Sequence, residues 1–100
     1  MDQVLDIAQL IRLKREEILR VAAKHGARNV RVLDSVARGD AKPDSDVDFL
    51  IDVGAVTSSW FPGGLIVDLE ALLGKRVEVV TERALHPLLR DKILREAVPI

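Results

Sequence analysis

Apolar residues recur along the chain with two different spacings, and these spacings predict the order of the secondary structure elements. Over residues 10–25 they recur every three or four positions, which predicts an amphipathic helix that ends at Gly26. Short runs rich in β-branched residues are typical of strands. Such runs occur at 30–33, 47–53 and 76–81.

Two further helices complete the pattern, at 65–73 before Gly74 and at 88–97 after Pro87. The order helix, strand, strand, helix, strand, helix predicts an α/β (α+β) fold in which helices flank a small mixed β-sheet. The strand at 47–53 is predicted to be central, because both of its faces are largely apolar. We expect a single domain over 1–100, since a chain of this length suits one core.

The bulk composition narrows the classes of function. Hydrophobic residues make up 48% of the chain, which indicates a packed globule. The 15 basic and 16 acidic residues give a net charge of -1, which does not favour binding to duplex nucleic acid. The absence of cysteine excludes disulfides, zinc–thiolate sites and a cysteine nucleophile, and it agrees with a cytoplasmic protein. We recognise neither a signal peptide nor a membrane-spanning run, so no membrane contact is expected.

Paired carboxylates stand at the start of the second predicted strand. Asp46 and Asp48 are two residues apart, so in a strand they project from the same face. Glu78 lies within the apolar run of the third predicted strand, where an acid needs a positive partner. Carboxylates brought together in this way suit Mg²⁺, so these three residues are the predicted metal ligands. The alternative is that Asp46 and Asp48 simply begin a strand at a solvated loop end.

A second motif, DSVARG, precedes these acids by a short loop. Ser35 follows the first strand and opens a predicted helical turn over 35–38. Backbone N–H groups at such a turn attract anions, and a serine hydroxyl can bond a phosphate oxygen. Arg38 adds positive charge, and Gly39 adds backbone freedom. The alternative is an ordinary strand-to-helix turn in which Ser35 is a cap.

Together these motifs resemble the minimal nucleotidyltransferase (MNT) family, within the DNA polymerase beta-like nucleotidyltransferase superfamily. The stretch SVARGDAKPDSDVDFLIDV, followed by LEALLGKRVEVVTERAL, is similar to the family pattern of Gly-Ser, a short loop, Asp-x-Asp and a later third acid. The matching residues are Ser35, Arg38, Gly39, Asp46, Asp48 and Glu78. The resemblance covers nearly the whole chain and implies the nucleotidyltransferase fold.

The resemblance also implies a reaction and its participants. Family members use two Mg²⁺ ions to transfer a nucleoside monophosphate from an NTP to a hydroxyl, with release of pyrophosphate. By resemblance, Asp46 and Asp48 hold both ions, Glu78 helps to hold the catalytic ion, and Ser35 binds the phosphates. Members of this size are commonly antitoxins paired with a HEPN-domain protein, and some AMPylate a tyrosine of that toxin. ATP and a HEPN-type partner protein are therefore the implied partners.

One position departs from the family pattern. Asp34 stands before Ser35, where the family has Gly. Gly lets the backbone approach a phosphate closely, whereas Asp adds a side chain and a negative charge beside the triphosphate. Two like charges about 4 Å apart repel by roughly 1 kcal/mol in water and by roughly 4 kcal/mol at an effective dielectric of about 20. We therefore expect weakened nucleotide binding.

Two functions from different classes stay open at this point. The first is a Mg²⁺-dependent enzyme that modifies a partner protein, which the intact serine and the three acids favour. The second is a degenerate nucleotidyltransferase-fold binding module that neutralises its partner by contact, which Asp34 favours. Template-directed polymerase activity is not expected, because the chain has no room for domains that hold a duplex. The oligomeric state stays open.

Two histidines and two aromatic residues lie outside these motifs. His25 is expected to be a solvated residue at a helix end, and His86 part of a turn before the last helix. Trp60 and Phe61 lie in the loop after the second strand. They either cover the core or contact a nucleotide base or a partner protein.

Overall fold

The computed structural model describes residues 7–33 and 46–100, and within these ranges four α-helices accompany a four-stranded sheet. The helices are α1 (Ile7–Leu13), α2 (Arg15–Lys24), α3 (Gly63–Leu73) and α4 (Pro87–Glu96), and a 3₁₀ helix spans Glu82–Ala84. The strands are β1 (Ala27–Val32), β2 (Val47–Val53), β3 (Val77–Thr81) and β4 (Val98–Pro99). The expected α+β class is confirmed. The helical turn predicted over 35–38 lies outside the described residues.

The strands form one mixed sheet in the order β3-β2-β1-β4. β2 pairs in parallel with β3 and antiparallel with β1, and β1 pairs antiparallel with β4. The predicted central position of β2 is therefore confirmed, and its bounds agree with the prediction. None of the helices in the described ranges is long and apolar enough to cross a lipid bilayer.

The core lies on one face of the sheet, beneath α1, α2 and α3. Alternate residues of β2, namely Val47, Phe49 and Ile51, are buried there against apolar residues of these helices. Residues between them project from the opposite face, because side chains alternate along a strand. That opposite face, which we call the acidic face, carries Asp48 and Asp52 on β2.

The main differences between the structure and the predicted elements are in the first helix, β1 and β4. The first helix begins at Ile7 and divides at Lys14, although its hydrogen bonds continue there, with Ile18 N donating to Lys14 O over 2.9 Å. β1 begins at Ala27, three residues before the predicted strand. The prediction missed its first half because those residues are largely exposed and lack an apolar run. β4 was not predicted, since two residues are too few to show a period.

Gly26 marks a close approach between α2 and the loop that follows β2. Its φ of +86° is in the left-handed region, and its carbonyl oxygen accepts a hydrogen bond from Gly54 N over 2.7 Å. A Cβ at this position would overlap the carbonyl oxygen of Val56. Gly74, which ends α3 as predicted, has a φ of +66° but no atom within 4 Å of such a Cβ.

This pair of glycines separates backbone strain from a steric clash. We expect Gly74→Ala to lower the free energy of unfolding by about 1 kcal/mol, the cost of a left-handed alanine. Gly26→Ala should cost about 2 to 4 kcal/mol, because the methyl group also displaces the loop at Val56. Urea unfolding of both variants checks this, and equal losses would contradict the close approach.

Candidate functional site

Asp48 and Glu78 are directly paired across the parallel strands β2 and β3. Their neighbours Val47 and Val77, one residue earlier, are buried in the core, so both acids project from the acidic face. The backbones of neighbouring strands are about 4.8 Å apart. Asp46 precedes β2 by one residue and is exposed. The structure thus brings two of the three predicted metal ligands to adjacent positions, with the third at the same end of β2.

The three acids are accessible rather than enclosed, since Asp48 is half-buried and Asp46 and Glu78 are exposed. Among the described residues, no group of three or more His, Cys, Asp or Glu side chains is arranged to hold a metal ion. The acids are therefore close in their backbone positions, whereas their side chains do not form a metal-binding group. Carboxylate oxygens at adjacent strand positions still suit Mg²⁺, which takes one or two carboxylates and completes its shell with water and phosphate oxygens.

The predicted phosphate-binding residues Asp34, Ser35, Arg38 and Gly39 lie outside the described residues. The residues that flank them are near the acids, because Leu33 N donates a hydrogen bond to Asp48 O over 3.0 Å. The phosphate-binding role of this segment stays a prediction.

Sequence reasoning missed an arginine on the acidic face. Arg31 is only 9% exposed, and its Nη2 contacts Asp52 Oδ1 at 2.8 Å. Its Nη1 lies 3.4 Å from Glu82 Oε1, and its Nε donates to Asn29 O over 3.1 Å. Arg90 of α4 reaches the other Glu82 oxygen at 3.7 Å. A single basic residue in a run of valines was the available signal, since a buried arginine needs acidic partners.

The expectation that His25 is solvated was wrong. The residue is 7% exposed, with Nε2 lying 2.7 Å from Asp68 Oδ2 on α3 and Nδ1 lying 2.6 Å from Ser58 Oγ. Ser58 N also donates to His25 O over 3.2 Å. One imidazole therefore joins the end of α2, the loop after β2 and α3. The sequence spacing of 33 and 43 residues gave no sign of these contacts.

The two aromatic residues of the loop after β2 have different surroundings. Phe61 is half-buried and packs against the core. Trp60 is 77% exposed, and its indole lies over Gly63, where an added Cβ would come within 2.8 Å of Cε2. The structural role expected for His86 agrees with its contact, since its Nδ1 accepts a hydrogen bond from Leu88 N at the start of α4.

Similarity to known proteins shows the family of this chain. Residues 14–100 match the model of a family described as nucleotidyltransferase domain. The chain belongs to this family. A solved structure described as a candidate minimal nucleotidyltransferase has a TM-score of 0.83 and 45% identity to this chain. The match covers 96% of this chain and 97% of the solved one. The expected membership among the minimal nucleotidyltransferases is thereby confirmed.

Two curated relatives have more specific names. A candidate protein adenylyltransferase from Methanocaldococcus jannaschii is 38% identical over 86% of this nucleotidyltransferase and 92% of its own length. The protein adenylyltransferase MntA from Thermococcus cleftensis is 41% identical over 75% of this chain and 76% of its own. A further solved structure, described as a toxin–antitoxin with AMP-PNP, covers 84% of this chain and 69% of its own at a TM-score of 0.69. At 15% identity it shares the fold.

The contact between His25 and Asp68 makes stability depend on pH at the acidic end. The hydrogen bond with His25 is the largest cause that lowers the pKa of Asp68 below its ordinary value of 3.8. The charged carboxylate therefore stabilises the fold above that value, and this stabilisation is lost as the pH falls through the lower pKa of the folded state. We expect the stability difference between the unmodified protein and Asp68→Asn to shrink below pH 3.8.

Urea unfolding between pH 2 and pH 6 measures this difference. A constant difference across the whole range would contradict the dependence on the charge of Asp68.

Proposed function

We propose that this nucleotidyltransferase transfers AMP from ATP to a hydroxyl of a partner protein, in a reaction that depends on Mg²⁺. We further propose that the partner is a HEPN-type toxin and that the chain acts as its antitoxin. The nucleotide and the reaction are supported by the curated relatives that are named protein adenylyltransferases.

The observation that carries the proposal is the cross-strand pairing of Asp48 with Glu78. Two acids at adjacent positions on one face repel each other, and the fold alone does not require them there. Asp46 adds a third carboxylate at the same end of β2. This arrangement supports a site for a cation that also binds phosphate oxygens.

In this site Asp46 and Asp48 would hold Mg²⁺, with Glu78 contributing from the neighbouring strand. When bound, Mg²⁺ neutralises charge on the phosphates and orients the attacking and leaving oxygens. Ser35, Arg38 and the backbone at Gly39 would bind the β- and γ-phosphates, as the family pattern implies.

The transfer itself exchanges one bond for another. The acceptor hydroxyl oxygen bonds to the α-phosphorus, the bond from that phosphorus to the β-phosphate bridging oxygen breaks, and pyrophosphate leaves. Glu78 is exposed and lies on the edge strand β3, so it is the acid best placed to meet an incoming acceptor. We assign it the role of favouring removal of the hydroxyl proton.

The acceptor is proposed to be on another molecule. The 100 residues contain no tyrosine, which agrees with a tyrosyl acceptor on another molecule.

A second function, contact-based neutralisation by a nucleotidyltransferase fold that no longer binds NTP, is favoured by one observation. By resemblance, Asp34 stands where the family pattern has a glycine beside the triphosphate. At that position its negative charge would oppose the phosphates, while the carboxylates of β2 and β3 are retained. Nucleotide binding distinguishes the two functions.

The first experiment is a calorimetric titration of ATP with Mg²⁺ into the unmodified protein and into Asp46→Asn/Asp48→Asn. We expect binding by the unmodified protein and a loss of more than about a hundredfold in the variant, because even outer contacts of a metal site contribute ten- to hundredfold. Asp91→Asn on α4, whose side chain is 83% exposed, is the control for loss of a surface acid. Binding that survives the double substitution rules out these ligands.

The second experiment tests the departure at Asp34. We expect Asp34→Gly to raise the affinity for MgATP by about fivefold to several hundredfold, the range that corresponds to a repulsion of roughly 1 to 4 kcal/mol. If only Asp34→Gly binds MgATP, the contact-based function is supported. An unchanged affinity would show that the Asp34 side chain does not oppose the phosphates.

A further inference from the structure

Two carboxylate pairs lie along the acidic face, one on β2 and β3 and one formed by Asp52 of β2 and Glu82, the residue that directly follows β3. Asp48 pairs with Glu78, and the ladder continues to the pair of Ile51 with Thr81. Asp52 directly follows Ile51 and Glu82 directly follows Thr81, so the second pair comes four residues after the first. Along a strand this separation is about 13 Å.

The second pair has a built-in cation. The guanidinium of Arg31 contacts Asp52 at 2.8 Å and Glu82 at 3.4 Å. Its remaining Nε donor is used by Asn29 O, at the β-bulge where the register of β1 shifts. Asn29 Nδ2 in turn donates to Asp52 Oδ2 over 3.0 Å. A buried arginine with each nitrogen partnered is a rigid element, because its planar fork accepts few other geometries.

The Arg31 side chain links β1 to β2 and to the residue that follows β3. Arg31 belongs to β1, where it is paired with Leu50 of β2, midway between Asp48 and Asp52. Glu82 directly follows β3, which is an edge strand and has a neighbour on one side only. The position of β3 against β2 therefore depends on their own ladder, on α3 and on this contact.

We infer that Arg31 is a positioning residue that holds β3 in register with β2 and thereby keeps Glu78 opposite Asp48. Its charge offsets part of the charge of the second carboxylate pair, and Arg90, 3.7 Å from the other Glu82 oxygen, supplies a further positive charge. Without Arg31, Asp52 and Glu82 repel each other at the end of the ladder and displace the edge strand. The part of this inference that concerns cation binding by Asp48 and Glu78 rests on the proposed function. The effect of Arg31 on the register of β3 does not.

A purely electrostatic role would have the opposite consequence. Removing a positive charge makes the acidic face more negative, which favours cations at the first pair. The guanidinium is held at the second pair, and the two pairs are about 13 Å apart along the strands, beyond the screening length of about 8 Å at physiological salt, so this effect is small. Loss of register instead weakens cation binding. The sign of the change therefore separates positioning from long-range charge.

The test uses Arg31→Met with two readouts other than activity. Amide hydrogen exchange of β3 reports its pairing with β2, and electron paramagnetic resonance of free Mn²⁺ reports cation affinity. We expect both the protection of β3 amides and the Mn²⁺ affinity to fall by about tenfold, the lower end of the loss seen for outer contacts of metal sites.

Three further variants make the result specific. Arg83→Met removes the same charge from the exposed residue next to Glu82 and should change neither readout. Arg31→Met/Asp52→Asn/Glu82→Gln removes the repulsion as well and should restore both readouts to within about threefold of the unmodified protein. Arg31→Lys serves if Arg31→Met does not fold. It should lower both, because one ammonium cannot contact all three partners.

Unchanged β3 protection and Mn²⁺ affinity in Arg31→Met or Arg31→Lys would overturn the inference. An equal loss in Arg83→Met would do the same, since it would show that the effect is not specific to the contacts of Arg31. If the unmodified protein binds no Mn²⁺ while Arg31→Met still loses β3 protection, the proposed metal site fails and the positioning of β3 by Arg31 stands.

Discussion

Parallel pairing of β2 with β3 is the constraint on which the rest of the molecule depends. It aligns acids of two strands on one face, and the opposite face of β2 must then be covered, because Val47, Phe49 and Ile51 are apolar. The helices α1, α2 and α3 supply that cover. The acids and the core residues of β2 therefore lie on opposite faces of the strand, because side chains alternate along it.

Parallel strands need a long crossover, which here contains α3 and the loop before it. A crossover of this kind has to be seated on the rest of the domain. Two features seat it: the close approach of the loop to Gly26 and the bonds from His25 to Ser58 and Asp68. Both act at the C-terminal end of β2. The carboxylate pair of Asp48 and Glu78 lies at the other end, so the elements that anchor the crossover do not compete with the candidate site for space.

The order of elements could be predicted because it depends on local periodicity, and the central position of β2 because both of its faces are largely apolar. The mixed sheet was expected from that order of elements. The approach of Asp48 to Glu78 was also within reach, since alternation assigns each acid to a face once the strands are known. The environments of His25 and Arg31 were not, because they depend on contacts between residues that are 21 to 51 positions apart. A single sequence shows which side chains need partners and does not show which ones the packing supplies. The two-residue strand β4 carries too short a pattern to be recognised.

The exposed indole of Trp60 has an optical consequence. It is the single tryptophan in a chain without tyrosine, so the near-ultraviolet absorption and the fluorescence come almost wholly from one side chain. That side chain lies over the first turn of α3, beyond the end of β2 that is farthest from Asp48. Its emission therefore reports burial of this loop by another molecule and is remote from cation binding at the acids. The protein carries an intrinsic fluorescent probe that reports on one end of its sheet.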